Sequence, residues 1–228
     1  TIPHTNGDDF WLITQVNGSA DYRVTLFTPA GPTTTTTFSG LGLIQVAANF
    51  SYHPGSNRIA VSPQETTRDV EVLSFDPATG VLGFQQRVLS SGIITATNQA
   101  IYDTEWSDNG QFLYLSIHGE AGIQADVLQY DLTNPLNSLA SVLPQPNTIF
   151  RSFGLQMAPD SSIYHLYQGT AGGPFLLGRL TDTDSVASLV TYTPQAFPGN
   201  PNFAGTQFPS FAPSDTLNIA VSFIPDGF

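Results

Sequence analysis

The segment WSDNGQFLYLS, Trp106–Ser116, begins with an aromatic residue, passes through a polar turn and ends in a strand of alternating apolar residues. The same pattern occurs three more times, in YHPGSNRIAVS (Tyr52–Ser62), MAPDSSIYHLY (Met157–Tyr167) and FAPSDTLNIAVS (Phe211–Ser222). The first residues of the four segments are 54, 51 and 54 positions apart. A spacing of roughly 50 residues is typical of one four-stranded blade of a β-propeller.

A second pattern follows the first three of these segments, namely a strand that ends in an acid-bearing turn. It occurs in VEVLSFDPATG (Val70–Gly80), ADVLQYDLTNP (Ala125–Pro135) and, less closely, FLLGRLTDTDS (Phe175–Ser185). Asp favours such turns because its side chain accepts backbone N–H bonds two residues further on, and Gly adopts the positive φ that tight turns need.

The N-terminal region fits the same unit. Phe10–Thr14 and Tyr22–Thr28 align with its second and third strands, and the first strand of this unit is predicted to be missing. TTTTT, Thr33–Thr37, resembles a mucin-like linker in composition, but five β-branched residues also favour an exposed outer strand. No helical periodicity is sustained, while 20 Gly and 17 Pro punctuate the chain. The sequence therefore predicts an all-β fold, a β-propeller of four-stranded antiparallel blades.

The repeats divide the chain into predicted blades at residues 4–48, 49–100, 101–150 and 151–205. Residues 206–228 are expected to begin either a further blade or an immunoglobulin-like module. Propellers commonly have more than four blades, so we expect the chain to be a piece of a longer polypeptide.

The charge of the chain excludes several classes of partner. The 228 residues contain 18 acids and six basic residues, all arginine, which gives a net charge of −12. An acidic chain with scattered arginines lacks the phosphate-neutralising patch that nucleic-acid binding needs, and anionic lipid would repel it. Cysteine is absent, which excludes disulfides and thiolate metal sites. We predict no nucleic-acid partner and no membrane insertion.

Several motifs, taken in order, resemble the propeller domain of large cell-surface proteins of gliding Bacteroidetes. They are HTNGDDFWLIT, LSFDPATGVLGF, YDTEWSDNGQFLYLS, QADVLQYDL and SFGLQMAPDSSIYHLY, within residues 4–205. The resemblance implies export by the type IX secretion route, an extracellular place on the cell surface, and immunoglobulin-like modules after the propeller. The chain departs from that family in having no lysine. SDNGQFLYLSIHG, Ser107–Gly119, is similar to a strand of the lactonase-type propellers, over one blade only.

Propeller ligands meet the loops that join the second and third strands, and the links between blades. In this sequence these regions contain a mix of polar residues that suits a sugar or a cation, although solvated loop residues would give the same pattern. The ligand-binding candidates are Glu65, Arg68, His118, Glu120, Asp126 and Arg151.

No catalytic site is predicted from motifs. His118 and Glu120 could act as a base and its orienting partner, but general acid–base chemistry needs a closed pocket and a third group. No cofactor is predicted, although calcium could be held by the acid pairs Asp8 with Asp9 or Asp182 with Asp184. Neither pair has the spacing of an EF-hand loop.

Glycosylation has weak signals at four places. Asn17 and Asn49 begin N-x-Ser triplets. Ser185 and Thr216 lie in Asp-Ser/Thr-apolar triplets, which are similar to the O-glycosylation site of Bacteroidetes.

Three functions remain open from the sequence. The first is a non-catalytic extracellular module that acts in adhesion, surface architecture or the binding of a protein or carbohydrate at the cell surface. The second is a propeller hydrolase of lactonase type, with polar residues gathered around the central channel. The third is a structural subunit of a filament or sheath, which would assemble with its own copies or with other surface proteins.

Overall fold

The computed structural model describes residues 1–42, 47–64, 69–88, 99–119, 125–134, 139–196 and 205–208. These residues form four antiparallel sheets, each of four strands in chain order. Blade 1 comprises β1 (Ile2–Pro3), β2 (Phe10–Gln15), β3 (Tyr22–Thr28) and β4 (Gly31–Phe38). Blade 2 comprises β5 (Ala48–His53), β6 (Arg58–Pro63), β7 (Val70–Asp76) and β8 (Val81–Val88). Blade 3 comprises β9 (Ala100–Trp106), β10 (Phe112–His118), β11 (Asp126–Asp131) and β12 (Ala140–Ser141). Blade 4 comprises β13 (Arg151–Met157), β14 (Ile163–Gln168), β15 (Phe175–Thr181) and β16 (Thr191–Thr193).

Consecutive blades pack face to face, and the core lies between them. The middle strands are apolar on both faces because each face meets a neighbouring sheet; β10, for example, is buried along nearly its whole length. One apolar cluster joins blades 1 and 2, a second joins blades 2 and 3, and two more lie between blades 3 and 4. The predicted all-β, propeller-like fold of four-stranded blades is confirmed, and the sheets do not close into a ring within the described residues.

The prediction that blade 1 lacks its first strand was wrong. β1 is present as two residues, with Ile2 paired to Trp11 and Pro3 to Phe10. A strand of two residues has no periodicity to recognise, and Pro3 lacks the N–H that would extend the ladder. It still contributes to the core, because Ile2 is buried in the cluster between blades 1 and 2.

The turn between β1 and β2 is held by Asn6. Its side-chain oxygen accepts hydrogen bonds from the backbone N–H groups of Asp8 and Asp9, at 3.2 and 3.1 Å. Gly7 takes the positive φ of 82° that the reversal requires. Asn6 therefore caps the backbone groups at the entry to β2. The His4 ring bonds to the carbonyl of Ala78 in blade 2, at 3.1 Å.

The predicted acid-bearing turns are also present. Asp76 accepts hydrogen bonds from the hydroxyl of Thr79 and the N–H of Ala78, which lower its pKa. Asp131 holds the corresponding turn after β11 through Thr133. The TTTTT segment lies in β4, the exposed outer strand of blade 1, as one of its two interpretations predicted.

The antiparallel order gives the assembly two ends. Turns that join the first to the second strand, and the third to the fourth, lie at one end, which we call the turn end. Loops that join the second to the third strand, and the links between blades, lie at the other, the loop end. Within the described ranges no helix has the length and apolar character needed to cross a membrane.

Candidate binding groove at the inner strands

The first strands of blades 2, 3 and 4 (β5, β9 and β13) border a groove of about 970 Å³. Its lining mixes polar and aromatic side chains. Prominent among them are Asn49, Tyr52, Asp103, Glu105, Gln156 and Phe208. In a propeller this is the position of the central channel, so the groove is the first place to search for a functional site.

Two acids of β9 reach across the groove to the next blade. Asp103 and Glu105 are two residues apart, so both side chains leave the strand on the same side. Oδ2 of Asp103 accepts the backbone N–H of Leu155 at 2.9 Å, and Oε2 of Glu105 accepts that of Met157 at 2.9 Å. Leu155 and Met157 lie on β13, the innermost strand of blade 4. The two carboxylates therefore cap amides along its inner edge.

The remaining carboxylate oxygens also have partners. Oδ1 of Asp103 accepts the N–H of Thr104 at 2.9 Å. Oε1 of Glu105 accepts the N–H of Trp106 at 2.8 Å and the hydroxyl of Ser51, on β5, at 3.0 Å. Glu105 thus ties blades 2, 3 and 4 together through a single side chain.

Burial changes the acidity of both groups. It raises the pKa of Asp103 to about 7, even though the amides of Leu155 and Thr104 act in the opposite direction. Burial raises the pKa of Glu105 as well, against the hydrogen bonds from Met157, Trp106 and Ser51. A carboxyl group with a pKa near neutral is typical of general acids and bases. The hydrogen-bond partners of Asp103 therefore have to be considered before a structural or a chemical role is assigned to it.

Sequence reasoning missed these two acids, although a signal was present. Asp103 and Glu105 lie three and one residues before Trp106, and Asn49 and Ser51 occupy the same positions before Tyr52. The repeat is recognisable from its aromatic residue onward, and the inner strand lies before that residue.

Two of the predicted binding residues lie close together at the loop end. The His118 ring bonds to the carbonyl of Ser152, at 3.3 Å, and Ser152 follows Arg151 directly. The guanidinium of Arg151 lies 5.4 Å from the centre of the Phe150 ring. Their role in binding stays a prediction.

Asp126 is the first residue of β11 and pairs with Ile117, the residue before His118, so its side chain lies on the opposite face of blade 3 from the His118 ring. Its Oδ1 accepts the hydroxyl of Ser141 at 2.7 Å and the N–H of Val127 at 2.8 Å, and burial raises its pKa. Three further predicted binding residues lie outside the described residues, and so does one predicted modification site. These are Glu65, Arg68, Glu120 and Thr216. Ser185 is half-buried, and its carbonyl accepts a hydrogen bond from Gln129.

An aromatic cluster surrounds His118 at the loop end. Its ring lies 5.8 Å from that of Tyr102 and 5.2 Å from that of Phe153. Phe175 extends the cluster, with its ring 5.3 Å from Phe153. Phe153 is buried, whereas Tyr102, His118 and Phe175 are only half-buried. We call these four residues the loop-end aromatic cluster.

Among the residues that the structure describes, no three His, Asp or Glu side chains converge as a metal site would require. The acids considered for calcium have other partners. Oδ1 of Asp184 accepts the N–H of Asn109 at 2.9 Å, and Oδ2 of Asp9 accepts the side-chain amide of Asn6 at 2.8 Å. Calcium binding has no further support here.

Comparisons with known proteins support the fold but do not assign the chain to a family. No protein-family model matches the chain, and no curated protein matches it. Its fold is similar to the crystal structure of a proposed 6-phosphogluconolactonase from Bacteroides uniformis, with a TM-score of 0.53 and 16% sequence identity. The match covers 84% of this chain and 52% of that protein, so the chain spans about half its length. The expected likeness to lactonase-type propellers is thus confirmed for the fold alone.

Proposed function

We propose that the chain is a non-catalytic β-propeller module of a secreted, surface-attached protein, and that it binds a carbohydrate or protein partner. The observation that carries this proposal is the hydrogen bonding of the Asp103 and Glu105 carboxylates. Every oxygen of these two carboxylates accepts a hydrogen bond from a backbone amide or a hydroxyl group of the fold. Acids that tie three blades together are poorly placed to transfer protons to a substrate, because each transfer would release a buried amide.

The surface chemistry supports an extracellular role. The chain has no lysine, carries a net charge of −12, and exposes threonine along β4. The motif order described above, which resembles that of surface propellers of gliding Bacteroidetes, adds to this support.

The loop-end aromatic cluster is the binding surface that we favour. Half-buried aromatic rings next to a few polar groups form the usual lining of a small-ligand site, since rings supply contact area and polar groups fix orientation. Tyr102 and Phe175 offer such rings and His118 lies beside Tyr102, while Arg151 directly precedes Ser152, whose carbonyl bonds to the His118 ring.

A direct binding screen against glycans and surface proteins tests this proposal. Tyr102→Ala and Phe175→Ala are expected to weaken binding of the identified partner about tenfold or more, which corresponds to about 1.4 kcal/mol each. The hydrogen bonds that Tyr102 accepts from Asn49 and Gln64 use its backbone carbonyl, so the alanine variant retains them. Phe84→Ala is the matched control, because Phe84 is 52% exposed on β8, away from the cluster. Binding that survives both cluster variants would overturn this placement of the site.

A lactonase-type hydrolase is the second candidate. The likeness in fold to a proposed 6-phosphogluconolactonase favours it, and so does the pKa of about 7 at Asp103. Recognition of a phosphorylated sugar needs free arginines, however, and three of the described ones are engaged: Arg58 with Gly110, Arg87 with Glu71 and Arg179 with Asp160. A lactone hydrolysis assay separates the two candidates.

A further inference from the structure

The outer strands of the four blades differ in how they protect their free edges. β12 has two residues and β16 has three, so each offers little edge for another chain to pair with. β8 has eight residues and carries Arg87, which forms an ion pair with Glu71. β4 also has eight residues, yet it carries no charged side chain. Long, uncharged edges are templates for pairing with a further strand.

The outer edge of β4 is open within the described residues. β4 is the last strand of its sheet, and all residues from Pro32 to Thr37 are exposed. Among the residues that the structure describes, no backbone hydrogen bond outside the regular ladders reaches this segment. On the inner side the strand is well fixed, because Thr35 pairs with Thr25 and their hydroxyls lie 2.9 Å apart.

Charge does not oppose contact at this edge, whereas it opposes contact through most other surfaces of the protein. Residues 22–38, which span β3 and β4, contain no acid and one base, Arg23, in a chain of net charge −12. The outer hairpins of the other three blades all contain acids. Two copies that approached through β4 would therefore avoid the like-charge repulsion that most other surfaces of this protein impose.

The sequence of the edge is also self-complementary. TTTTT reads the same in both directions, so an antiparallel pair centred on Thr35 places threonine opposite threonine at every position from Thr33 to Thr37. Thr–Thr pairs across neighbouring strands are favourable, and they leave no charge opposed or buried. No other outer strand of the four blades has this symmetry.

We propose that β4 pairs with β4 of a second copy of this chain, antiparallel and centred on Thr35. The two blades then form one continuous eight-stranded sheet across a two-fold axis. This contact is independent of the binding role of the loop end, and it gives the protein a means of assembly on a surface.

Sedimentation velocity over a wide range of protein concentration tests the pairing. We expect the mass to rise from 24.4 kDa to twice that value as concentration increases. Thr35→Lys places two like charges at the axis and should weaken the dimer about tenfold or more. Ser188→Lys adds the same charge at an exposed position outside β4, and the dimer should persist. A protein that stays monomeric throughout, or a dimer that tolerates Thr35→Lys, would overturn the proposal.

Disulfide trapping tests the register. Because the protein has no native cysteine, an introduced cysteine can link only to another introduced cysteine. Opposed residues in an antiparallel pair have Cα atoms about 4.5–5.5 Å apart, which suits a disulfide. Thr35→Cys alone should therefore give a linked dimer on mild oxidation, whereas Ser188→Cys should not. Thr33→Cys should link to Thr37→Cys when the two variants are mixed. Thr33→Cys alone should not link, because its copies lie about 14 Å apart in this register. Linking of Thr33→Cys to itself would contradict the register.

Discussion

The interface between blades 1 and 2 and the interface between blades 3 and 4 join equivalent sheets by different chemistry. The first is aromatic. Trp11 packs edge-on against Phe75, with ring centres 6.3 Å apart, and its indole N–H donates to the carbonyl of Pro77 at 2.9 Å. Gly80 lies so close beneath the indole that a Cβ there would come within 2.6 Å of it.

The second interface contains a buried chain of polar groups as well as apolar packing. The hydroxyls of Ser116 and Ser152 lie 2.8 Å apart, and Ser152 Oγ lies 2.7 Å from Nε2 of His165. Nδ1 of His165 then lies 3.1 Å from the hydroxyl of Tyr192. Gly178 leaves the space for this hydroxyl, since a Cβ there would come within 2.2 Å of it. These hydrogen-bonded side chains extend from blade 3 to the outermost strand of blade 4.

This difference shows that the repeat specifies strand order but leaves the interface chemistry free. An aromatic plug is stabilised by apolar area, which does not depend on pH. A buried hydrogen-bonded histidine is stable only while it stays neutral, and burial lowers the pKa of His165 to about 3. The two interfaces should therefore respond differently to truncation and to acid.

The largest effect is expected at the aromatic interface. Trp11→Ala removes a buried ring and should lower the free energy of unfolding by about 3–5 kcal/mol. Urea unfolding at neutral pH measures the change. Val81→Ala is the control, because Val81 is 53% exposed and its truncation should cost less than about 0.5 kcal/mol. Equal losses in the two variants would refute the assignment of Trp11 to the core.

The second largest effect is expected from low pH, which should destabilise the interface between blades 3 and 4 through His165. Below about pH 6.5 the unfolded chain protonates His165, while the folded chain does not until about pH 3, so acid favours unfolding. This residue should remove about 1.4 kcal/mol of stability per pH unit in that window, or about 2.7 kcal/mol over two units. His165→Gln should abolish this part of the pH dependence.

The measurement is urea unfolding of both proteins at several values between about pH 7 and pH 4. Asp103, Glu105 and Asp126 have raised pKa values and act in the opposite sense, losing stability as pH rises, but they are common to both proteins. The difference between the two curves therefore isolates His165. Parallel curves would show that the imidazole is not held neutral.

A smaller effect is expected when one link of the polar chain is removed. Ser152→Ala leaves the hydroxyl of Ser116 and Nε2 of His165 without this partner, which should cost about 1–3 kcal/mol. Ser188→Ala, at an exposed position, should be near neutral. If Ser152→Ala is equally neutral in thermal and urea unfolding, the hydrogen bonds of Ser116, Ser152 and His165 do not stabilise the interface.

The smallest effect should come from the exposed turn that leads into blade 1. Asn6→Ala removes the acceptor for the N–H groups of Asp8 and Asp9, and should cost about 0.5–1 kcal/mol, since water can replace exposed hydrogen bonds. Asp8→Ala is the comparison, because no hydrogen bond is found for its carboxylate among the described residues. A larger loss in Asp8→Ala than in Asn6→Ala would contradict the assignment of Asn6 as the residue that holds this turn.

The sequence predicted the strands well because their pattern repeats from blade to blade. Alternation and turn chemistry located β6, β10 and β14 at the predicted spacing, and β4 was predicted from its β-branched residues. β1 was missed because Ile2–Pro3 is too short to have a pattern. The ties made by Asp103 and Glu105 depend on which inner strand lies opposite β9, and a linear pattern does not contain that information.

The likeness to lactonase-type propellers was recognised from one strand, and the structure extends it to the fold. The ligand could not be predicted in the same way. Of the six predicted binding residues, three are described: His118 and Arg151 lie near each other, and Asp126 pairs with Ile117 but directs its side chain to the other face of blade 3. Side chains of neighbouring loops meet only after the blades have packed.

We propose that Asp103 and Glu105 hold the blades together and do not act as general acids or bases. Hydrolysis of 6-phosphogluconolactone by the wild-type chain and by Asp103→Asn, both checked for folding by circular dichroism, distinguishes the two roles. We expect neither protein to accelerate hydrolysis beyond the spontaneous rate in buffer. A wild-type rate enhancement that Asp103→Asn abolishes while remaining folded would contradict the claim and make the chain a lactonase.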